Sequence, residues 1–595
     1  MSLSTLDYIV IFSFFAITLL VGFAVSKQSS KDSSEYFLSG RSMSWWLLGI
    51  SMVATTFAVD TPLLVTDIVR TSGVSGNWSW WVFLVTGMLT VFVYAKLWRR
   101  SSVNTDIEFY ELRYSGKAAK FLRAFRALYL GFIFNILVMS VVTLAAIKIG
   151  EVMLGIPKYY TVGIAGLVTV IFSSVGGFKG VIYTDFILFL ISMAGAIGAA
   201  YYIVNLDQVG GLTQLMSNDA VLDKISILPD FNNTELMMTL LVIPLAVQWW
   251  SAWYPGAEPG GGGYVAQRML AAKNESHAIG ATFLFNILHY AMRPWPWILV
   301  ALASIVVFPD LQSLHHAFPA VSEGKLANDL AYPAMLTFLP SGLLGLVMAS
   351  MIAAYMSTIS THLNWGSSYI VNDFYTQHVN KNASEKEKVN IGRLSAVIMM
   401  ALSSFLAFYF TNAKQVFDVI IMFGAGTGSI FILRWFWWRI NAWSEIVAMF
   451  TSGTVSVIFA KYYFPESIPS YWQFPIVVLI TTIAWLLATY LTKPEKKETL
   501  YAFYNKVQPG GKGWSKVLND AEKEGVEILG RNKKWSVPNG ILAMILGCLL
   551  IYSLLFSVGN FVYLKIKTGS ILLVASIIFA VLLVQLWKKI KNEVL

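Results

Sequence analysis

Residues 253–263 read WYPGAEPGGGG and interrupt an apolar run that begins near residue 236. Two prolines and five glycines cannot continue as a helix, because proline removes a backbone donor and glycine costs about 1 kcal/mol relative to alanine. A second interruption, VDTP at residues 59–62, falls inside the apolar run from 43 to 70. The sequence therefore predicts two helices that are each broken in the middle.

The surrounding sequence has the composition of a membrane protein. Of its 595 residues, 56% are hydrophobic and only 13% are charged, which excludes an ordinary soluble enzyme of this length. Many apolar runs are long enough to cross the hydrocarbon core, which takes about 18 or more residues. We therefore predict an all-α polytopic membrane protein with about fifteen spans, near 7–25, 43–70, 76–98, 121–150, 159–176, 181–204, 236–256, 276–308, 334–374, 389–411, 415–437, 444–462, 472–492, 540–558 and 567–587.

The positive charges indicate an orientation. The formal net charge is +10, but the Lys and Arg residues lie in every second short loop, so topology explains them better than nucleic-acid binding does. Arg268 and Lys273 form one such loop, and Lys residues of the 493–534 stretch form another. We expect an integral protein of a bacterial inner membrane, with the N-terminus outside and the C-terminus in the cytoplasm.

The two broken helices indicate transport. They lie five helices apart, and matched interrupted segments in two halves of a chain are typical of the binding site of a secondary transporter. Unwound backbone in a membrane must line a cavity, and its carbonyl groups can replace the water shell of Na⁺. The expected partners are therefore a small-molecule substrate, a sodium ion and the lipid bilayer.

Four stretches resemble the solute:sodium symporter family, which includes the sodium–glucose and sodium–proline transporters. They are EYFLSGRS at 35–42, GGFKGVIYTD at 176–185, QRMLAAK at 267–273 and the long run 342–375. The resemblance implies a five-plus-five inverted-repeat transporter core with broken first and sixth core helices, one preceding helix and about four following helices. It divides the chain into a preceding helix in 1–30, the core in 43–437, two accessory helices in 444–492, a basic cytoplasmic loop in 493–539 and two C-terminal helices in 540–595.

The resemblance also implies a Na⁺ site between the first and eighth core helices. Na⁺ is a hard cation that prefers oxygen ligands. Ser357 and Thr358 share one helical face with Ala354, as ligands from one helix require. Asp185 is expected to act in sodium release or affinity and not in a salt bridge. The implied set combines backbone carbonyls with hydroxyl and carboxyl groups: Ala54, Phe57, Ala354, Ser357, Thr358 and Asp185.

The substrate pocket departs from the sugar-carrying members of the family. They have Glu where this chain has Trp80, Lys where it has His289 and Gln where it has Leu188. Unmet buried polar groups of a sugar would each cost about 1–3 kcal/mol, which argues against a glucose-type pocket. The candidate substrate residues flank the two breaks or lie in the seventh core helix: Thr56, Asp60, Thr61, Trp80, Trp253, Tyr254, Glu258, His289 and Arg293.

Several interpretations of these residues stay open. In one, Arg293 pairs with Asp60 or Glu258 as a gate. In another, one of these acids binds a cationic or zwitterionic substrate. In a third, a carboxylate of the substrate binds Arg293. Trp435 and Arg434 are expected to form part of a cytoplasmic interface belt, and the 493–539 loop to lie on the cytoplasmic membrane surface, where anionic lipid attracts Lys.

The predicted function is sodium-coupled symport of a small organic solute by alternating access. The alternatives are a proton-coupled or uncoupled carrier that uses Asp60, Asp185 or His289, and a solute sensor that does not transport. The sequence contains no HExxH and no G-x-S-x-G pattern, so we predict no enzymatic activity.

Overall fold

The computed structural model describes residues 3–29, 38–251, 258–319, 321, 326–411, 413–461, 468–531 and 533–594. Regular structure in these residues is helical, apart from one isolated bridge. The long helices and the parts of broken ones are α1 (Thr5–Ser29), α2 (Trp45–Thr56), α3 (Asp60–Ser72), α4 (Val74–Ser101), α5 (Gly116–Leu154), α6 (Lys158–Val204), α7 (Thr234–Ala246), α8 (Gly263–Ala271), α9 (Glu275–Val307), α10 (Leu343–Val379), α11 (Glu385–Ala407), α12 (Ala413–Gly424), α13 (Gly428–Leu433), α14 (Ala442–Lys461), α15 (Ser470–Leu491), α16 (Lys497–Val507), α17 (Ser515–Lys523), α18 (Val537–Val562) and α19 (Ile566–Val594).

Both predicted breaks are present. The axes of α2 and α3 differ by 59°, and residues 57–59 separate them. The second break separates α7 from α8, with a 3₁₀ turn at Gln248–Trp250 in between. Gly260 and Gly261 in this break have φ of 89° and 84°, the left-handed region that side chains disfavour, which explains the glycine run.

A short backbone bridge ties the two broken helices together. The N–H of Met43 donates to the carbonyl of Ala271 at 3.2 Å, and the N–H of Lys273 donates to the carbonyl of Met43 at 3.0 Å. The residues before α2 therefore pair with the residues after α8. This pairing holds α8 against the half-helix α2.

Within the described residues, fewer helices are long and apolar enough to span a membrane than the fifteen predicted. The described residues contain 10 helices that are long and apolar enough to cross a membrane, and the bent pair α2–α3 makes 11. The predicted spans 159–176 and 181–204 are parts of one helix, α6, which is 47 residues long. Helical backbone continues because no proline lies inside α6, and a glycine pair costs only about 2 kcal/mol.

Two other predicted spans are shorter than expected. The span predicted at 236–256 ends as α7 at Ala246, before the Gly/Pro-rich break. The span predicted at 415–437 divides into α12 and α13, because residues 424–428 read GAGTG and glycine weakens a helix. The tenth core helix is therefore also interrupted.

The last helices pack onto the core. The helices α18 and α19 form a pair, and α18 contacts the second and seventh core helices. Tyr552 of α18 donates a hydrogen bond to the carbonyl of Trp81 at 3.0 Å, and Tyr563 lies edge-on to Trp295. The helices α14 and α15 form a second pair.

The second break and the tenth core helix approach each other closely at Gly428. A Cβ atom at this residue would lie 1.9 Å from the carbonyl oxygen of Trp250. We predict that Gly428→Ala lowers the free energy of unfolding by about 1–3 kcal/mol, the usual cost of overpacking. The measurement is the thermal unfolding midpoint of the purified protein in detergent.

Gly163→Ala is the matched control. Gly163 is also helical, and its added Cβ would meet nothing within 4 Å, so alanine should leave the midpoint unchanged or raise it. Equal midpoints for the two variants would contradict the close contact between α13 and the second break.

Candidate sodium and substrate site

The acid Asp185 lies between the first and eighth core helices. The hydroxyl of Ser357 in α10 donates to Asp185 Oδ1 at 2.6 Å, and the hydroxyl of Ser51 in α2 donates to Oδ2 at 2.6 Å. All three side chains are buried. One carboxylate of α6 therefore connects α2 and α10 at the predicted sodium region.

The other predicted sodium residues lie beside this carboxylate. Thr358 donates its hydroxyl proton to the carbonyl of Thr55 at 3.0 Å, so α10 contacts the end of the half-helix α2. The carbonyl of Ala54 accepts from the N–H of Phe57 at 3.1 Å, where α2 ends. Ala354 is buried one turn before Ser357 in α10. The hydroxyl of Thr358 thus joins α10 to the end of α2.

Arg268 is a residue of this cluster that the sequence interpretation assigned incorrectly. We expected a cytoplasmic loop charge, but Arg268 lies in α8 and is fully buried. Its guanidinium nitrogen lies 3.7 Å from Asp185 Oδ2 and donates to the hydroxyls of Ser51 and Thr55, each at 3.1 Å. The expectation that Asp185 forms no salt bridge is therefore wrong.

The physical reason is the burial of both charges. A carboxylate and a guanidinium removed from water are tolerated when they pair and hydrogen-bond. The signal in the sequence was the apolar surrounding of Arg268 in YVAQRMLAA, which is typical of a buried helix and not of a loop.

A cavity lies on the other side of the α2 end. Six of the predicted substrate residues line it together, and they come from the first break, from α4 and from α9: Thr56, Asp60, Thr61, Trp80, His289 and Arg293. These residues form its polar wall. The first break and the seventh core helix thus lie next to each other at this cavity, as predicted.

The polar wall is internally connected. Arg293 donates to the hydroxyl of Thr56 at 2.9 Å, and the same hydroxyl lies 3.0 Å from His289 Nδ1. The ring of Trp80 stacks with that of Tyr290, with centroids 6.0 Å apart, and lies edge-on to His289. These contacts hold the polar groups of the wall in defined positions.

Asp60 differs from its neighbours in the polar wall. Its Oδ1 atom is buried and accepts no hydrogen bond within the described part of the chain. Arg293 is the charged side chain that acts on it electrostatically. A buried acceptor without a partner costs about 1–3 kcal/mol, so this oxygen is available to a donor from a ligand.

The opposite wall of the cavity is apolar. It consists of side chains from α5 and from the tenth core helix: Val138, Val141, Ala413, Val416, Phe417 and Ile420. The cavity thus has one face for hydrogen bonding and one for apolar contact.

Glu258 does not belong to this cavity's polar wall, and the hypothesis that it pairs with Arg293 is wrong. Its Oε1 accepts from Arg434 at 2.9 Å, and its Oε2 accepts from Arg126. Arg434 also lies 3.4 Å from Glu445. Two arginines from distant parts of the chain neutralise Glu258, and no sequence spacing reveals such a contact.

The predicted interface belt is also wrong for two of its members. Arg434 and Trp435 are fully buried, and the guanidinium of Arg434 lies 4.7 Å from the ring centroid of Phe109. Trp253 and Tyr254, which we predicted to contact the substrate, lie outside the described residues.

The chain is similar to known transport proteins. The model of the sodium:solute symporter family matches residues 36–452. The chain belongs to this family. It is 26% identical over 502 residues to the sodium/glucose cotransporter of Vibrio parahaemolyticus, covering 81% of this chain and 89% of that protein. It is 27% identical over 551 residues to the mouse sodium/myo-inositol cotransporter, covering 84% and 76%.

A solved structure supports the fold. A Na⁺-coupled sialic acid symporter in a substrate-bound, outward-open state superposes with a TM-score of 0.64 at 22% identity, covering 83% of this symporter and 99% of that chain. The predicted family and the all-α polytopic transporter fold are thereby confirmed. The relatives are cotransporters, so the symporter is a transport protein and not an enzyme.

The Glu258 cluster gives a prediction about stability. We expect Glu258→Gln to destabilise the symporter by about 3–5 kcal/mol, because it removes the carboxylate that pairs with the buried Arg126 and leaves Arg434 with Glu445 alone. Thermal unfolding of the purified protein measures this change.

Lys414→Gln is the control for the loss of an ion pair. Lys414 lies 2.8 Å from Asp418, and both side chains are largely exposed, so its loss should change stability by at most about 0.5 kcal/mol. A Glu258→Gln variant as stable as Lys414→Gln would show that the buried cluster contributes nothing.

Proposed function

We propose that this symporter couples the movement of Na⁺ to that of a small, net-neutral polar solute by alternating access. One observation carries the proposal: adjacent residues at the end of α2 face the two candidate sites. The carbonyl of Thr55 accepts from Thr358 beside Asp185, whereas the hydroxyl of Thr56 contacts Arg293 and His289. An ion that orders this half-helix end would also order the polar wall of the solute cavity.

The proposed Na⁺ ligands are oxygen atoms from two helices, α10 and the end of α2 with the residue that follows it. The hydroxyls of Ser357 and Thr358 and the carbonyl of Ala354 come from α10, and the carbonyls of Ala54 and Phe57 come from α2. Asp185 supplies negative charge close to these atoms, and Arg268 balances part of it. Hard oxygen donors suit Na⁺, and most of them are neutral, so the ion can leave again.

The proposed solute follows from the two walls of the cavity. Asp60 and Arg293 carry opposite charges, so a solute with a net charge would leave one of them without compensation in the membrane. A solute with hydroxyl or amino donors satisfies Asp60, and its acceptors satisfy Arg293. Relatives are named for glucose and for myo-inositol, but this chain has Trp80, His289 and Leu188 in place of the polar residues of the sugar-carrying members, so we propose a net-neutral solute with polar groups on one side and an apolar surface on the other.

For orientation we propose that the N-terminus lies outside a bacterial inner membrane and that the C-terminus lies in the cytoplasm. The alternation of Lys- and Arg-rich loops supports it.

The first test is sodium binding. At about 100 times its dissociation constant, Na⁺ should stabilise the wild-type protein by about 2.7 kcal/mol relative to K⁺ or choline. The double variant Ser357→Ala/Thr358→Ala should lose this gain. Thermal unfolding in each salt at equal ionic strength is the measurement.

The double variant Ser350→Ala/Ser368→Ala serves as control. Both hydroxyls lie in α10 and donate to carbonyls of their own helix at 2.8 Å, so the Na⁺ gain should remain. If Na⁺ stabilises neither the wild type nor this control, the sodium assignment fails. Proton-driven uptake by the same protein would then indicate that Asp60 couples solute transport to protons.

The second test concerns the solute. We expect Asp60→Asn to raise the KM for uptake about tenfold, because the amide can accept only through one atom and loses the charge that opposes Arg293. The measurement is uptake of myo-inositol, glucose, mannose, proline and sialic acid into Na⁺-free proteoliposomes, with Na⁺ or with choline in the external buffer.

The Na⁺-dependent thermal shift separates a role of Asp60 in solute binding from a role in Na⁺ binding. It should remain in Asp60→Asn, and an exposed acid, Asp230→Asn, should leave both uptake and the shift unchanged. Uptake restricted to the negatively charged sialic acid would overturn the proposal of a net-neutral solute.

A further inference from the structure

A second, smaller cavity lies beside the second break, and we call it the inner cavity. Its polar lining comes from α4, from the second break and from α9: Thr86, Thr90, Glu258, Thr282, Asn286 and Tyr290. Its volume of about 30 Å³ has room for one or two water-sized groups. Residues of the first break line the solute cavity, so each break borders one of the two cavities.

The inner cavity follows the solute cavity along the same two helices. On α4, Trp80 lines the solute cavity, whereas Thr86 and Thr90, further along the helix, line the inner cavity. On α9 the order is reversed, because Asn286 of the inner cavity precedes His289 of the solute cavity. The start of α9 packs against the end of α4. The inner cavity therefore lies toward this end of the bundle, which is the cytoplasmic end in the proposed orientation.

Two contacts between aromatic rings separate the cavities. Trp80, which lines the solute cavity, stacks with Tyr290, which lines the inner cavity, with ring centroids 6.0 Å apart. His289 of the solute cavity and Phe285 of the inner cavity form a second contact, with centroids 5.1 Å apart. These rings must separate before a solute passes from one cavity to the other.

Asn286 has a buried oxygen atom that is available to a ligand. Its Nδ2 donates to the carbonyl of Thr282 at 2.8 Å, which fixes the orientation of the amide. Its Oδ1 accepts no hydrogen bond within the described part of the chain, and the side chain is fully buried. A Cβ atom on Gly87 would lie 1.8 Å from this oxygen, so only glycine there leaves room for it. A buried acceptor without a partner is unfavourable, and a donor from a ligand removes this cost.

The other polar groups of the inner cavity are also mainly acceptors. The hydroxyls of Thr86, Thr90 and Thr282 each donate their proton to a backbone carbonyl. Their lone pairs remain for a ligand, since a hydroxyl has one proton but two acceptor positions. The charge of Glu258 is compensated by two arginines, and Tyr290 has a hydroxyl that can donate or accept. The lining therefore favours an uncharged group with hydrogen-bond donors.

We propose that the inner cavity is a second binding site for the transported solute, which enters it after leaving the solute cavity. Asn286 and the threonine hydroxyls bind hydroxyl or N–H groups of the solute. Tyr290 separates from Trp80 to admit the solute and so acts as the gate between the two sites. This inference rests on the proposed transport of a net-neutral solute.

The test is Asn286→Leu, which removes the acceptor and nearly keeps the volume of the side chain. We expect the maximal rate of Na⁺-dependent uptake to fall about tenfold, because the solute loses a hydrogen-bond partner on its path. The KM and the Na⁺-dependent thermal shift should stay unchanged, because Asn286 lines neither the solute cavity nor the sodium region. The measurement is uptake of the same five solutes into proteoliposomes.

Asn560→Leu is the matched control. Asn560 also donates from Nδ2 to a carbonyl one turn earlier, at 2.8 Å, but it lies in α18 and lines neither cavity. This variant should keep the wild-type rate. A raised KM at an unchanged rate in Asn286→Leu would assign the residue to the solute cavity and overturn the proposal. Equal rates in the two variants would overturn it as well.

Thiol labelling decides the question even if the wild type takes up none of the five solutes, which would overturn the proposed solute. In a Cys548→Ala background, which has no other cysteine, Thr90→Cys should react with a water-soluble methanethiosulfonate about tenfold faster than Thr143→Cys. Thr143 is buried like Thr90 and donates to a carbonyl of its own helix at 2.8 Å, but it lines neither cavity. Mass spectrometry of the intact protein measures both rates. Equally slow reaction would show that the inner cavity is a closed packing void and would overturn the second site.

Discussion

The structure depends on one constraint: backbone carbonyl and N–H groups inside a membrane must find partners other than water. The end of α2 leaves such groups unpaired within the helix, and α10 meets them, with Thr358 donating to the carbonyl of Thr55. Breaking the helix therefore creates polar sites on two sides of the same turn. The candidate sodium region and the candidate solute cavity are neighbours because they share this turn.

Buried charges follow the same constraint. Asp185 lies beside Arg268, Glu258 lies beside two arginines, and Lys148 pairs with Asp329 at 2.6 Å. Each pair joins segments that are far apart in the chain, so the charges also help to fix the arrangement of the bundle. Asp60 is different, because one of its oxygen atoms accepts no hydrogen bond within the described residues. In a transporter such an atom is where a solute can replace water.

Many features were predictable because they depend on local chemistry. Proline and glycine at 59–62 and 253–263 predict the two breaks, and both are present. The spacing of Ser357 and Thr358 predicts one helical face; Ser357 donates to Asp185 of α6, and Thr358 donates to the carbonyl of Thr55 at the end of α2. Length and apolarity were less reliable for span boundaries, since they did not reveal that α6 is continuous or that α12 and α13 are separate.

The sequence by itself determined the membrane class, the family and the residues of the two breaks, because apolar length, helix-breaking residues and short motifs act within a few turns of the chain. Only the tertiary structure decided which charges pair. In the structure, Arg268 pairs with Asp185 and does not lie in a loop. Glu258 pairs with Arg434 and not with Arg293. Ion pairing depends on distances between helices that are separated by many residues, and the three-dimensional packing of those helices sets these distances.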